Sequence, residues 1–321
     1  MSDTLLRVEN LTTVFEVAQP VTAVNGVSFE IRKGETLGLV GESGSGKSVT
    51  AFSLIRLVQA PGRITGGKVI FQGRDLLTLG EPQMRHVRGA GIGFVFQEPM
   101  AALNPVMRVG AHIAEALVVH GLAGKSDARG RAIELLRAVR ITDPEKRVDD
   151  YPHQLSGGMR QRVMMAIAIA CKPPLVIADE PTTALDVTVQ AQILELLRDM
   201  KREFDLSLLL ITHDLGVIAE TADHVAVMYA GRIVEQGPVR EIFRNPKHPY
   251  TQGLLASIPD GAAGSRLKAI EGTVPNLAAL PPGCSFAPRC AERMPICDTA
   301  FPPVTSINPD HSVRCYLHAS R

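Results

Sequence analysis

The chain has 321 residues, 45% of them hydrophobic, and a formal net charge of +1. This length suits one large domain with an appendage, or two domains, and the apolar fraction allows a sizeable core. A charge so near zero gives no global electrostatic reason to expect a nucleic acid as partner. The N-terminal sequence MSDTLLRVEN lacks the apolar segment of a signal peptide, and no run of residues predicts a membrane-spanning helix. We therefore expect a soluble cytosolic chain that meets a membrane only through partners.

The N-terminal segment, residues 4–40, alternates apolar and polar side chains in short runs such as Val27–Ile31. This period of two predicts a small antiparallel β layer, and the apolar run Thr36–Val40 predicts a buried strand after it. Phe15 also lies in this segment. Its ring could stack on a nucleotide base or could be an ordinary core residue, and the pattern alone favours neither.

The stretch GESGSGKS, Gly41–Ser48, follows that strand and matches the pattern G-x-x-x-x-G-K-[ST] at every position. The segment Val49–Val58 after it has the pattern of a helix. The three glycines of the stretch allow successive backbone N–H groups to point at an anion, and the helix start adds the positive end of its dipole. Lys47 can then reach the terminal phosphates of a nucleotide, and the Ser48 hydroxyl can ligate Mg²⁺. We call Gly41–Ser48 the phosphate loop.

Two further strands are predicted, at Lys68–Gln72 and at Ile92–Phe96, with a charged helical segment around Glu81–Arg88 between them. Gln97 follows the second of these strands. Residues 98–170 show helical periodicity and no strand pattern. We interpret them as a helical insertion rather than as a separate domain.

Leu155-Ser156-Gly157-Gly158 opens the last helix of this insertion. Ser156 is a suitable N-cap, and the two glycines leave backbone N–H groups accessible at the helix start. This arrangement suits a second anion site that has no lysine, although an ordinary capped helix shows the same pattern.

Leu175–Ala178 is an apolar run that predicts a buried strand, and Asp179 and Glu180 follow it directly. The aspartate is suited to holding Mg²⁺ through water, and the glutamate to orienting or deprotonating an attacking water. The strand predicted at Leu206–Thr212 ends in the same way at His213, at the edge where open α/β sheets bind their ligands. Taken separately, an acidic strand end or a lone histidine is also common in a structural role.

Four of the five cysteines, Cys284, Cys290, Cys297 and Cys315, lie in a proline-rich C-terminal stretch, whereas Cys171 suits the core of an apolar helix. In a reducing cytosol such a group favours metal binding over disulfides. The four are separated by five, six and seventeen residues, whereas structural zinc sites prefer pairs about two to four residues apart. The spacing therefore favours an iron–sulfur cluster, with Zn²⁺ and incidental thiols as alternatives. Metal binding would supply folding energy to a stretch with little core of its own.

Taken in order, these motifs resemble those of the ATP-binding subunits of ABC transporters. Gly41–Ser48 is similar to the Walker A motif, Leu155–Gly158 to the signature motif and Leu175–Glu180 to the Walker B motif. The other matches are Gln97 with the Q-loop, Ala184-Leu185-Asp186 with the D-loop, His213 with the switch histidine and, by approximate position, Phe15 with the A-loop aromatic residue.

The resemblance implies an α/β fold, a P-loop NTPase of the ABC nucleotide-binding type, over residues 1–237. Its expected parts are a RecA-like parallel core, an antiparallel β layer and a helical subdomain at about 98–170. Residues 238–321 are expected to form a small cysteine-containing C-terminal extension, which we call the extension.

Several stretches narrow the resemblance to the oligopeptide/dipeptide importer subfamily. They are QEPMAALNP at 97–105, SGGMRQRVMMA at 156–166, ADEPTTALDVTVQAQIL at 178–194, HPYTQGLLASIP at 248–259 and PPGCSFAPRC in the extension. Met159, where glutamine is commoner, resembles the D subunit of dipeptide and oligopeptide permeases. The resemblance implies an ATPase that powers import of di- and oligopeptides, and it points to a [4Fe–4S] cluster on the four cysteines. A nickel or other small-solute importer and a non-transport ABC ATPase are the alternatives.

The same resemblance assigns roles to individual residues. Those implied to be catalytic are Glu180, His213 and Lys47. Those implied to hold Mg²⁺ are Ser48, Gln97 and Asp179. Those implied to bind ATP are Phe15, Gly41, Glu42, Ser43, Gly44, Ser45, Gly46, Lys47, Ser48, Val49, Gln97, Ser156, Gly157, Gly158 and Asp186.

Because the chain has one Walker A motif and one signature motif, the resemblance implies a pair of chains arranged head to tail. The expected partner in that pair is a second homologous ATPase subunit. Two transmembrane permease subunits and, through the assembled complex, a peptide-binding protein complete the expected partners, and no nucleic acid is expected. The implied location is the cytoplasmic face of the inner membrane, where the permease subunits would hold the chain peripherally.

Overall fold

The computed structural model describes residues 4–257 and 270–319. In the extension, residues 258–269 and 320–321 lie outside these ranges. They include the last two residues of the stretch at 248–259. The chain forms two compact units. The first consists of Met1–Ile31, Glu35–Leu77 and Leu210–Arg321, and the second of Arg32–Gly34 and Thr78–Leu209.

The secondary structure is mixed. The strands are β1 Thr4–Phe15, β2 Val21–Arg32, β3 Thr36–Val40, β4 Gly62–Phe71, β5 Arg74–Asp75, β6 Ile92–Val95, β7 Leu175–Asp179, β8 Ser207–Thr212, β9 His224–Tyr229, β10 Arg232–Pro238, β11 Thr305–Asn308 and β12 His311–Val313. The helices are α1 Lys47–Leu54, α2 Glu81–His86, α3 Pro99–Ala102, α4 Val109–Val119, α5 Ala128–Ala138, α6 Pro144–Arg147, α7 Gly157–Ile169, α8 Val187–Glu203, α9 Leu215–Thr221, α10 Val239–Arg244, α11 Pro249–Ala256 and α12 Ile296–Thr299. None of these helices, which belong to the part of the chain that the structure describes, combines the length and apolarity needed to cross a membrane.

The first unit contains the predicted antiparallel layer, with strand order β2-β1-β4-β5. β1 pairs with β4 along nearly its whole length, from Leu6 opposite Phe71 to Phe15 opposite Gly62. The predicted strand at Lys68–Gln72 is therefore too short: β4 begins six residues earlier, at Gly62, because the far end of β1 gives it backbone partners. Buried side chains recur at every second position in two runs, Leu6 and Val8, then Leu11 and Thr13, and the phase changes where the pairing with β4 is irregular.

The first unit also carries the strands that lead to the phosphate loop. Their order is β11-β12-β10-β9-β3. β3 runs parallel to β9, with Leu37 opposite His224, and β9 pairs antiparallel with β10. Every residue of β3 is buried, which agrees with the apolar run predicted at Thr36–Val40. The loop therefore starts from the carboxyl end of a fixed central strand.

The second unit contains β6 and β7, which pair in parallel with Ile92 opposite Leu175. Residues 98–170, all of which are described, form helices α3–α7 and no strand, so their predicted helical character is confirmed. α4 shows why these segments are helical: its buried residues Val109, Ile113 and Leu117 recur every fourth position along one face. β7 is buried throughout and ends at Asp179.

The extension folds against β9 and β10 of the first unit. β12 adds to β10 by antiparallel pairing, with Glu235 opposite Val313. The fully buried ring of Tyr250 in α11 lies 4.6 Å from that of Tyr229 and 5.4 Å from that of Phe286, measured between ring centroids. The extension thus supplies two of these three rings, and Tyr229 of β9 completes the apolar cluster.

A buried carboxylate also holds the extension in place. Glu235 of β10 accepts hydrogen bonds from the backbone N–H groups of Lys247 at 2.7 Å and His248 at 3.0 Å. It also pairs with the buried His311 of β12 at 2.8 Å. Because a buried charge is costly unless it is fully hydrogen-bonded, this carboxylate fixes where α11 and β12 attach.

Candidate functional site

The phosphate loop joins β3 to α1, as its sequence context predicts. Gly46 has φ +102°, and a Cβ atom there would lie 2.3 Å from the carbonyl oxygen of Ala23. A Cβ on Gly41 would lie 2.1 Å from the carbonyl oxygen of Met228. Side chains at these positions would clash with rigid backbone, so only glycine permits this path. The narrow, glycine-dependent cradle fits a phosphate group held by backbone N–H groups.

Lys47 lies inside the loop with 5% of its surface exposed. Its Nζ donates to the carbonyl oxygens of Gly41 at 2.8 Å and Glu42 at 3.1 Å. These contacts hold the ammonium group across the loop, where a polyphosphate would meet it. In the first turn of α1, the Thr50 hydroxyl donates to the carbonyl of Gly46 at 2.9 Å.

Glu42 of the loop is held by the extension, which the sequence analysis did not predict. Arg289 donates to the two Glu42 carboxylate oxygens at 2.7 and 3.0 Å, and this bond raises the pKa of the guanidinium. The backbone N–H of Glu42 donates to the hydroxyl of Tyr250 at 2.8 Å. Both residues lie in stretches that carry the subfamily resemblance, but a stretch of sequence does not show which distant residue it contacts.

The other two residues predicted for this unit lie at the ends of strands. His213 follows the last residue of β8 and is exposed, just before α9. Phe15 is the last residue of β1 and is half-buried, opposite Gly62 of β4. Their roles toward a nucleotide stay predictions.

In the second unit the acidic pair lies at the end of β7. Asp179 is buried, and Glu180 has φ +44°, a region that costs a non-glycine residue about 1 kcal/mol or more. The Glu180 carboxylate accepts hydrogen bonds from the Thr183 hydroxyl at 2.8 Å and from the side-chain amide of Gln97 at 3.2 Å. The structure thus brings Gln97 and Glu180 together, and it adds Thr183, which the sequence analysis did not single out.

The signature segment lies in the same unit, at the start of α7. The Ser156 hydroxyl accepts from the backbone N–H of Met159 at 3.3 Å, so the predicted N-cap is confirmed. Asp186 caps α8 in the same way, by accepting from the N–H of Val189 at 2.9 Å. A Cβ on Gly158 would lie 2.7 Å from the side chain of Val189, so glycine lets α7 approach α8 closely. Ser156 and Gly157 are exposed, and their N–H groups are at the surface of this unit.

The donor atoms expected at a Mg²⁺ ion are all oxygens. Ser48 offers a hydroxyl oxygen, and Asp179 offers a carboxylate. Gln97 offers its side-chain carbonyl oxygen, since it is the amide nitrogen of that side chain that donates to Glu180. Hard oxygen ligands of this kind are those that Mg²⁺ prefers, so the residue types fit the ion.

The predicted metal site on the four cysteines is wrong. Cys284, Cys290, Cys297 and Cys315 line one small cavity. However, among residues 4–257 and 270–319 no group of three or more His, Cys, Asp or Glu side chains is arranged to hold a metal ion. This overturns the [4Fe–4S] cluster and the Zn²⁺ alternative together.

The four thiols lie at half-buried or buried positions. Burial raises the pKa of Cys284 and Cys290, and it raises the pKa of Cys315 to about 11. The energy expected from a metal comes instead from the aromatic cluster around Tyr250, from strand pairing and from Glu235.

Comparisons with known proteins agree with this geometry. The model of the ABC transporter family matches residues 24–183, and that of the oligopeptide/dipeptide transporter C-terminal region matches residues 234–297. A probable peptide ABC transporter ATP-binding protein of Sinorhizobium fredii is 52% identical, over 98% of this chain and 95% of its own length. The dipeptide transport ATP-binding protein DppD of Bacillus subtilis is 49% identical, over 99% of this chain and 96% of its own length.

Solved structures show the same fold. The dimeric ATP-binding cassette MJ0796, in a post-hydrolysis state with ADP and Pi, superposes with a TM-score of 0.66 at 28% identity, over 73% of this chain and 99% of its own. The cassette cbiO1 of Clostridium perfringens gives a TM-score of 0.64 at 27% identity, over 76% of this chain and 92% of its own. The α/β P-loop NTPase fold predicted from the motifs is therefore confirmed, and the chain is an ATP-binding cassette. It belongs to the ABC transporter family, in the group that carries the oligopeptide/dipeptide transporter C-terminal region.

Proposed function

We propose that this chain hydrolyses ATP to ADP and phosphate, and that the hydrolysis powers import of dipeptides or oligopeptides through separate membrane subunits. The observation that carries the proposal is the phosphate loop, where Gly41 and Gly46 admit no side chain and Lys47 lies across the cradle. The cargo is supported by relatives named as peptide-transport proteins, which match nearly the whole chain at about 50% identity.

Nucleotide binding is assigned to the phosphate loop and the residues near it. The loop N–H groups and Lys47 would hold the β- and γ-phosphates, and Phe15 would stack on the base. Ser48, Gln97 and Asp179 would hold Mg²⁺, whose chemistry when bound is to neutralise charge on the phosphate oxygens. His213 would contact the γ-phosphate.

Glu180 is assigned the role of general base. Its carboxylate accepts side-chain hydrogen bonds from Thr183 and Gln97, and these bonds orient it. Phosphoryl transfer needs little covalent chemistry from the protein, so a positioned water and a basic carboxylate are the main requirements. The bond from Gln97 also links the base to the segment that begins the helical insertion.

We further propose that the working unit contains two ATPase chains. The exposed Ser156 and Gly157 at the start of α7 suit contact with the nucleotide of a partner, and the related cassette MJ0796 forms a dimer. The proposed partners are a second homologous ATPase subunit, two transmembrane permease subunits and, through them, a peptide-binding protein. In that assembly the chain lies peripherally on the cytoplasmic face of the membrane.

Uptake by cells tests the proposed function. Deleting this chain should abolish uptake of labelled di- and oligopeptides, and the wild-type chain should restore it. Lys47→Ala should not restore uptake, because it removes the charge that meets the phosphates. Unchanged peptide uptake in the deletion strain, or restoration by Lys47→Ala, would contradict the proposal, and loss of nickel uptake alone would assign a different cargo.

A further inference from the structure

Arg289 of the extension makes a paired contact with the phosphate loop. It lies in a single helical turn, Ala287–Arg289, and its side chain is 5% exposed. Nη1 donates to Oε2 of Glu42 at 2.7 Å, and Nη2 donates to Oε1 at 3.0 Å. Two parallel charge-assisted bonds of this kind are strong, and they define the orientation of both groups. Glu42 itself is only 27% exposed, so water screens the pair weakly.

The guanidinium group is fixed from its other sides. Nε donates to the carbonyl of Glu271 at 3.0 Å, and Nη2 donates to the carbonyl of Ile270 at 3.3 Å. Nη1 also reaches the hydroxyl of Tyr229 at 3.4 Å. The extension therefore holds the guanidinium of Arg289 in the orientation in which it meets Glu42.

The backbone of Glu42 is held as firmly as its side chain. Its N–H donates to the hydroxyl of Tyr250, and its carbonyl accepts from Lys47. Tyr250 is completely buried against Tyr229 and Phe286, so its hydroxyl has a defined position. All the polar groups of this residue are thus engaged, and two of these contacts come from the extension.

These contacts bear on ATP binding in two ways. They concern the negative charge of Glu42, and they hold the phosphate loop in one shape. Glu42 places a carboxylate within the loop that is built to receive polyanionic phosphates, and an uncompensated carboxylate there would repel them. Arg289 supplies a matching positive charge, and it does so without occupying the loop. A loop already held in shape also loses less conformational entropy when the nucleotide binds.

We propose that Arg289 is a positioning residue through which the extension holds the phosphate loop and neutralises Glu42, and so sets the affinity for ATP. This inference rests on the proposed function, because it takes ATP as the ligand of the loop. It gives the extension a role in the ATPase reaction: any change that detaches residues 270–319 from the loop lowers ATP affinity.

A double-mutant cycle on the full-length chain tests this role, with Mg-ATP titrated by calorimetry. Arg289→Gln should weaken ATP binding about tenfold, because Glu42 is left unpaired beside the phosphates. Arg289→Lys should lose less, about threefold, since it keeps the charge but not the paired geometry. In the Glu42→Gln background, Arg289→Gln should change the affinity by less than about twofold. Arg293→Gln is the matched control, because Arg293 pairs with Asp298 on the exposed surface of the same extension.

Kinetics of the assembled transporter provide the second readout. Arg289→Gln should raise KM for ATP with kcat nearly unchanged, because Glu180 and the partner subunits are intact.

An equal loss of affinity in both backgrounds would show a merely structural role and overturn the proposal, as would wild-type affinity in Arg289→Gln. Failure of the wild-type chain to bind Mg-ATP would overturn the proposed function as well. Normal wild-type binding that Lys47→Ala abolishes, with no effect of Arg289→Gln, would overturn the role of Arg289 alone.

Discussion

The phosphate loop is shaped by residues that are close together in the sequence, whereas the extension contacts it through residues that are far apart in the sequence. The loop is one continuous stretch, and the residues that shape it, Gly41, Gly46 and Lys47, lie within it. The contact of the extension with that loop joins Arg289 to a residue 247 positions away. A local motif thus shapes the loop, while a residue distant in sequence pairs with one of its charged side chains. Mutations in the two regions should therefore have different effects on the reaction.

The largest expected effect is a loss of ATP hydrolysis without a loss of ATP binding. Glu180→Gln removes the proposed base, so hydrolysis in the assembled complex should fall about a hundredfold or more, the scale of a lost general base. ATP affinity should stay nearly unchanged, because the phosphate loop is intact. Single-turnover phosphate release and a nucleotide titration measure the two quantities.

Thr183→Val is the matched comparison for that experiment. It removes one hydrogen bond to the Glu180 carboxylate but keeps the base, so the loss should be much smaller than for Glu180→Gln. Near-normal turnover of Glu180→Gln would exclude this residue as the base.

The next effect concerns the loop alone. Gly46→Ala places a Cβ 2.3 Å from the carbonyl oxygen of Ala23 at a φ of +102°, so the loop must change shape. ATP affinity should fall by at least about tenfold, as measured by titration with Mg-ATP. Gly130→Ala in α5 is the control, because a Cβ there meets no atom within 4 Å. Equal affinities for the two variants would mean that the loop does not bind ATP in the described conformation.

A smaller effect tests the hold of the extension on the loop backbone. Tyr250→Phe keeps the buried ring but leaves the N–H of Glu42 without its acceptor at 2.8 Å. The loss of about 1 kcal/mol should weaken ATP binding about fivefold. Tyr316→Phe removes a hydroxyl that bonds the carbonyl of Phe301 elsewhere in the extension, and it should leave ATP affinity at the wild-type value. Similar losses for both variants would show a general loosening of the extension.

The last effect concerns the stability of the extension rather than ATP binding, and it depends on pH. Burial, with a smaller contribution from His318, lowers the pKa of His248 to about 3, and its Nδ1 accepts the N–H of Tyr250. In the unfolded chain this histidine titrates near its usual pKa of about 6.5. Because only the unfolded state takes up the proton, stability should fall as pH drops from about 6.5 toward 3, by up to about 1.4 kcal/mol per unit.

Hydrogen exchange of α11 between pH 7 and pH 5 measures this dependence. His248→Asn should give a shallower pH dependence, because the titrating group is gone. The exposed His153→Asn variant should keep the wild-type dependence. An unchanged slope in His248→Asn would assign the acid sensitivity to other groups.

The sequence predicted the features that depend on neighbouring residues. The buried strands before the loop and before Asp179, the helices of the insertion and the cap at Ser156 all follow from local patterns, and the structure contains each of them. Features made by distant pairs were missed, namely the bonds of Arg289 and Tyr250 to Glu42 and those of Gln97 and Thr183 to Glu180. The cysteine prediction failed for a related reason, because spacing along the sequence does not show how distant side chains are arranged in space.

The proposed function is tested most directly by the rate of phosphate release from ATP by this chain assembled with its partner subunits. The rate is measured with and without peptide-loaded binding protein. Release should rise when peptide is present, and both Glu180→Gln and Lys47→Ala should suppress it. A rate of release that does not change when peptide is added, or release that persists in both variants, would contradict the proposed function.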